Sequence, residues 1–142
     1  MHTKRDIQDK ALALFSQRGY SAVSIRDICK IVGIKESTVY YHFKNKQDIY
    51  DTLLRAFETM TRALQDRFDA ELSKAAEITE QSFTAFGLSL LHNYFLDEQI
   101  LRFIRMLTIE QYVNQQAAGL YHRFLFGYPL AQHAQVFQEL IR

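Results

Sequence analysis

Proline and glycine are scarce, with one proline and five glycines in 142 residues. So few chain breakers leave little room for tight turns, and no segment alternates apolar and polar residues over the length of a strand. The expectation is a nearly all-helical (all-α) chain. Cysteine is scarcer still: Cys29 stands alone, so no intrachain disulfide can form. Without neighbouring ligands it reads as a small core residue. No run of about 18 apolar residues occurs, which argues against a membrane partner. The first ten residues, MHTKRDIQDK, lack the apolar stretch of a secretion signal, so a cytoplasmic location is expected. There is no Gly-x-Ser-x-Gly elbow, no phosphate loop and no paired Cys/His arrangement, and catalysis is not expected. His92, His122 and His133 are too far apart for a recognised metal spacing, so neither a metal nor a cofactor is expected.

What the chain does have is apolar material and an uneven charge. Hydrophobic residues make up 48% and charged residues 23%, enough for a core. The net charge is only +1. Met1 to Lys46 nevertheless holds nine Lys/Arg against four Asp/Glu, whereas the remainder holds eight against twelve. A basic head on an acidic body points to an anionic partner at the N-terminal end.

The periodicity predicts a first helix over Lys4–Arg18, with Ile7, Ala11, Leu14 and Phe15 on one face and Gly19 as a left-handed cap. Ser24 followed by Asp27 fits a capping box that opens a second helix. Its buried stripe is Ile25, Ile28, Cys29 and Val32, and Gly33 ends it. After a short turn, helical sequence resumes at Glu36 and runs to Phe43, with Val39 and Phe43 inward. Two short helices joined through a glycine-containing turn form a helix-turn-helix. Asn45 and Asp48 open a long fourth helix to about Leu72, striped by Ile49, Leu53, Phe57, Met60, Leu64 and Phe68. Further helices are expected over Ile78–Phe95, over Ile100–Gln111 behind an Asp97 cap, and over Leu120–Phe126 behind Asn114. Pro129 should kink or restart the last segment.

The stretch STVYYHFKNKQDIY, Ser37 to Tyr50, sets aromatics beside lysines. That mixture suits a helix lying in the major groove of DNA, where hydroxyl and ammonium groups meet phosphates and a few tips reach base edges. Ser24, Arg26, Lys35, Ser37, Thr38, Tyr40, Tyr41, His42, Lys44 and Lys46 are the candidate DNA-binding residues. Tyr40 and Lys46 are expected on phosphates and Tyr41 on bases; His42 could serve either or only position its neighbours. Arg26 could touch a phosphate or be a plain surface charge.

These residues carry a family resemblance. From Ala11 to Tyr50, Phe15, Gly19-Tyr20, Ser24-Ile25, Ile28, Gly33-Ile34, Val39-Tyr40-Tyr41-His42-Phe43, Asn45-Lys46 and Ile49 fall in register with the tetracycline-repressor (TetR) family of transcriptional regulators. Two positions depart from it. Lys35 stands where the family usually has a capping Ser or Thr, and Ser37 where it often has Gly. The resemblance implies a DNA-binding head over residues 1–46 and a helical ligand-binding and dimerisation body over 47–142. It also implies a palindromic operator and a homodimer. Ligand occupancy would tilt the fourth helix and shift the heads. Family members usually run further, through two helices that build the dimer, so the chain reads as incomplete and its dimerisation as weakened.

A family-type effector would occupy a cavity in the body, with Phe57, Met60, Leu64, Phe83, Phe86, Leu90, Phe103, Leu107 and Phe124 as candidate lining residues. Core and cavity share this composition, and the residues alone do not separate them. The expected function is a repressor released from its operator by a small apolar or aromatic molecule. The rival is a DNA-binding and protein-interaction module without small-molecule control.

Overall fold

The computed structural model describes residues 4–74 and 79–141, apart from a few side chains inside the helices. Among these residues eight α-helices follow one another: α1 Lys4–Arg18, α2 Ile25–Val32, α3 Glu36–His42, α4 Lys46–Lys74, α5 Glu80–Leu90, α6 Glu98–Glu110, α7 Gln115–His122 and α8 Tyr128–Leu140. A π-helical turn, Leu91–Leu96, extends α5, and a second, Arg123–Gly127, joins α7 to α8. No strand occurs among the described residues. Among them, too, no helix is long and apolar enough to cross a membrane.

Local chemistry sets most of the boundaries. The Ser24–Asp27 capping box opens α2 as expected. Thr79 and Ser82 form a second box that opens α5; Ile78, where that helix was expected to begin, lies outside the described residues. Asp97 and Asn114 accept from the amides of Ile100 and Ala117, at 2.9 Å each. Those caps put the first helical residues at Glu98 and Gln115, earlier than the expected Ile100 and Leu120. Pro129 lies in the first turn of α8. Its ring cannot tolerate the carbonyl four residues back, so the preceding turn widens, and the Tyr128 amide reaches five residues back to Arg123.

One continuous apolar core runs from Ile7 to Phe124. Ile7, Ala11, Leu14 and Phe15 of α1, Ile28, Cys29 and Val32 of α2, and Val39 and Phe43 of the α3 segment are all buried, in the expected register. Burial raises the Cys29 thiol pKa, with Glu36 adding to the effect, which fits a core role. The 29 residues of α4 span about 43 Å. Their N-terminal half buries Ile49, Leu53, Leu54 and Phe57. Fully burying a side chain such as Phe57 contributes about 1.5–3 kcal/mol. Among the described residues the most extensive helix pairing is α1 against α6, which joins the N-terminal helices to the helices that follow.

Candidate nucleic-acid interface

The α2–α3 turn is built on Gly33, whose φ of +78° is left-handed and whose amide donates to the Cys29 carbonyl at 2.8 Å. Lys35 occupies the N-cap of α3 and makes no side-chain cap bond, as its departure from the family pattern implies. The angle between the two helices is instead braced by Arg26, whose Nε donates to Glu36 Oε1 at 2.9 Å. Most of the Arg26 side chain remains exposed. Asp27, the capping-box partner, is held below the usual carboxylate pKa by the Ser24 amide and hydroxyl, with Arg18 and Lys30 assisting.

Val39 fixes which face of α3 points outward, because it is fully buried. Ser37, Tyr40, Tyr41 and Lys44 are then exposed, while Thr38 and His42 are half-buried. Tyr41 is the more exposed of the two α3 tyrosines, at 84% against 51% for Tyr40. Its ring meets the His42 imidazole edge-on at 5.0 Å, so His42 supports Tyr41. Cations flank the tyrosines at both ends, Lys35 before them and Lys44 after. A seven-residue helix is about 10 Å long, a match for a major groove about 12 Å wide.

Lys46 departs from expectation. Its ammonium turns inward, donating to the carbonyls of Tyr20 and Val23 at 2.8 Å each and lying 4.1 Å from the Tyr20 ring centre. Its main use in this fold is therefore to hold the α1–α2 loop, because an ammonium has only three donors and two are committed. Sequence reasoning missed Lys4, whose ammonium sits 5.0 Å from the Phe43 ring centre, at the C-terminal end of α3. The basic run at the start of α1 was its only signal.

The candidate ligand residues divide. Phe57, Phe103, Leu107 and Phe124 are buried core, and the Phe57 ring lies 5.2 Å from each of the other two rings. Met60 and Leu64 are half-buried against that core, and Phe83 is exposed. The side chains of Phe86 and Leu90 lie outside the described residues. Among the described residues, no group of three or more His, Cys, Asp or Glu could hold a metal ion.

Residues 7–53 match the family of bacterial regulatory proteins described as tetR family. Over those residues the chain is similar to the N-terminal domain of that family. Within it, the matching segment is 47% identical over 47 residues to IcaR of Staphylococcus epidermidis, described as a negative transcriptional regulator of the icaADBC biofilm operon. That match covers 33% of this chain and 25% of IcaR. AcrR of Shigella flexneri, a helix-turn-helix transcriptional regulator, is 35% identical over 69 residues, covering 49% of this chain and 32% of AcrR. The match thus spans a quarter to a third of these relatives. Among solved structures, a protein of Mesorhizobium loti described as a TetR-family regulator superposes on 99% of this chain and 71% of its own. Its TM-score is 0.66 at 23% identity, and it shares the fold of a TetR head followed by a helical domain. A transcriptional regulator of Saccharomonospora viridis, solved with choline, gives a TM-score of 0.56 at 26% identity, over 87% of this chain and 62% of its own.

Proposed function

We propose that the chain is a DNA-binding transcriptional regulator, acting as a repressor that a small molecule releases from a palindromic operator. The observation that carries the reading is the outer face of α3, where exposed Tyr40 and Tyr41 stand between Lys35 and Lys44. Lysines at the two ends suit phosphates on either side of the groove, and the central Tyr41 suits base edges. Repression is supported by the description of IcaR as a negative regulator. A head of residues 1–46 needs a second copy to read two half-sites, so the working form is a homodimer.

Duplex DNA supplies the test. Fluorescence anisotropy should show binding that weakens steeply between about 50 and 200 mM salt. Lys44→Ala should weaken binding to all sequences and lower the salt slope by about one unit. Tyr41→Ala should instead change the bases chosen from a random-sequence duplex library. Binding that ignores salt, or a Tyr41 variant with unchanged preference, would refute the reading.

The effector belongs in the body. Because the rings of Phe103 and Phe124 both pack against Phe57, we infer a site nearer Met60 and Leu64, which are only half-buried against that core. The neighbour solved with choline supports a small-molecule effector, and aromatic side chains suit apolar, aromatic or quaternary ammonium groups alike. A thermal-shift screen of such compounds should find a stabiliser whose effect Leu64→Trp removes. If no compound stabilises the chain, the interaction module without small-molecule control is the better reading.

A further inference from the structure

Glu110, the last residue of α6, is a carboxylate only 5% exposed. Two features make that an expensive position. A negative charge at a helix C-terminus opposes the helix dipole. Burial also strips the carboxylate of water, and among the described residues no Lys, Arg or His lies within ion-pairing distance of it. What Glu110 gains is one long-range bond: its Oε1 accepts the backbone amide of Tyr20 at 2.8 Å, across 90 residues of sequence. A charged acceptor makes such a bond roughly twice as strong as a neutral one.

The recipient is the loop that feeds α2. Gly19 turns it with φ +78°, and a Cβ there would meet Ile109 Cγ2 at 3.0 Å and Glu110 Oε1 at 3.2 Å, so the loop lies against the end of α6. Tyr20 gives its amide to Glu110 and its carbonyl to the Lys46 ammonium at the start of α4. Its ring packs 4.9 Å from that of Tyr50 and 5.6 Å from that of Phe15. The peptide leading into the helix-turn-helix is therefore held from two sides, by α4 and by α6.

We propose that Glu110 is a latch through which the body holds the DNA-binding head in one orientation. This deepens the DNA-binding reading and rests on it. Opening the latch loosens the α1–α2 loop and widens the range of head orientations without unfolding the head, because the apolar core that α1 shares with α6 stays in place.

Two measurements on the full chain test this without DNA: amide hydrogen exchange at Tyr20, and the distance distribution between spin labels at Ser37→Cys and Gln135→Cys, both exposed sites. Glu110→Ala should speed exchange at Tyr20 by about 10- to 100-fold and broaden the distribution. It should leave the Phe43 amide, bonded within α3 to the Val39 carbonyl, protected. Glu110→Gln keeps an acceptor oxygen and should recover most of the protection and the narrow distribution. Unchanged exchange and distances in Glu110→Ala would overturn the latch, and so would equal loss of protection at Phe43, which would mean plain unfolding. Failure of the DNA-binding reading would appear in the salt titration and the base selection, and failure of the latch only here.

Discussion

Gly19 and Gly33 share one backbone conformation, φ +78°, and differ in what surrounds them. An added Cβ at Gly33 meets nothing within 4 Å, whereas at Gly19 it comes within 3.0 Å of Ile109 and 3.2 Å of Glu110, whose side chains must give way by a few tenths of an ångström. Alanine at either site takes the left-handed cost of about 1–2 kcal/mol, and only Gly19→Ala adds this tight contact. Denaturant unfolding should therefore find Gly19→Ala the more destabilising, and equal losses would mean that the loop simply relaxes away from α6. Lys46 is decided in the same way. Its two charged hydrogen bonds make Lys46→Ala cost about 1–3 kcal/mol, read as a lowered Tm in the absence of DNA. An unchanged Tm would return Lys46 to the phosphate role expected of it. No local pattern reveals the inward turn of Lys46 or the Glu110–Tyr20 bond, because both join residues far apart in sequence.

At the scale of the element, the capping box that opens α2 fixes the start of the helix-turn-helix. Asp27 bonds the Ser24 amide at 2.8 Å and its hydroxyl at 2.7 Å, which favours the ionised form. Since its pKa is lower folded than unfolded, the box stabilises the chain above the ordinary carboxylate range, and that contribution is lost as pH falls through the lowered folded value. The Tm difference between the wild type and Asp27→Asn should be largest near neutral pH and shrink in acid; a pH-independent difference would show that the carboxylate charge is idle. The same caps explain what could be read in advance. Ser24, Asn45, Asp97 and Asn114 each precede their helix by a fixed count, so α2, α4, α6 and α7 announce themselves in sequence. The π turns do not, because they arise from how a helix accommodates its surroundings; in the Arg123–Gly127 turn that means making room for Pro129. The outer face of α3 was legible because Val39 and Phe43 orient it. The candidate effector residues were not, because a packed aromatic core and an aromatic-lined pocket use the same side chains.

At the scale of the whole molecule, α8 carries apolar residues on both its inner and its outer side. Val136 and the side chain of Gln132 face inward and are buried. Leu130, Phe137 and Ile141, spaced by seven and four residues, share the opposite face, and all three are more than half exposed, with Phe126 exposed just upstream. Leu130 alone is 68% exposed. Solvated single apolar residues are common, but a stripe of them along one helix is a surface that associates. Two copies of one stripe can pair around a two-fold axis, each covering the other, which is the commonest symmetry of oligomers. Light scattering over a concentration series should therefore show this chain self-associating. The double replacement Leu130→Ser and Phe137→Ser, made at exposed positions that leave the core untouched, should return it to a monomer with unchanged Tm. The basic head should still bind duplex DNA in that monomer, because Lys35, Tyr40, Tyr41 and Lys44 all lie on α3 and its flanks. It should lose the steep concentration dependence that two cooperating heads confer. A wild-type chain that stays monomeric at every concentration would mean that the α8 stripe is simply solvated, and that the pairing of heads must come from another surface.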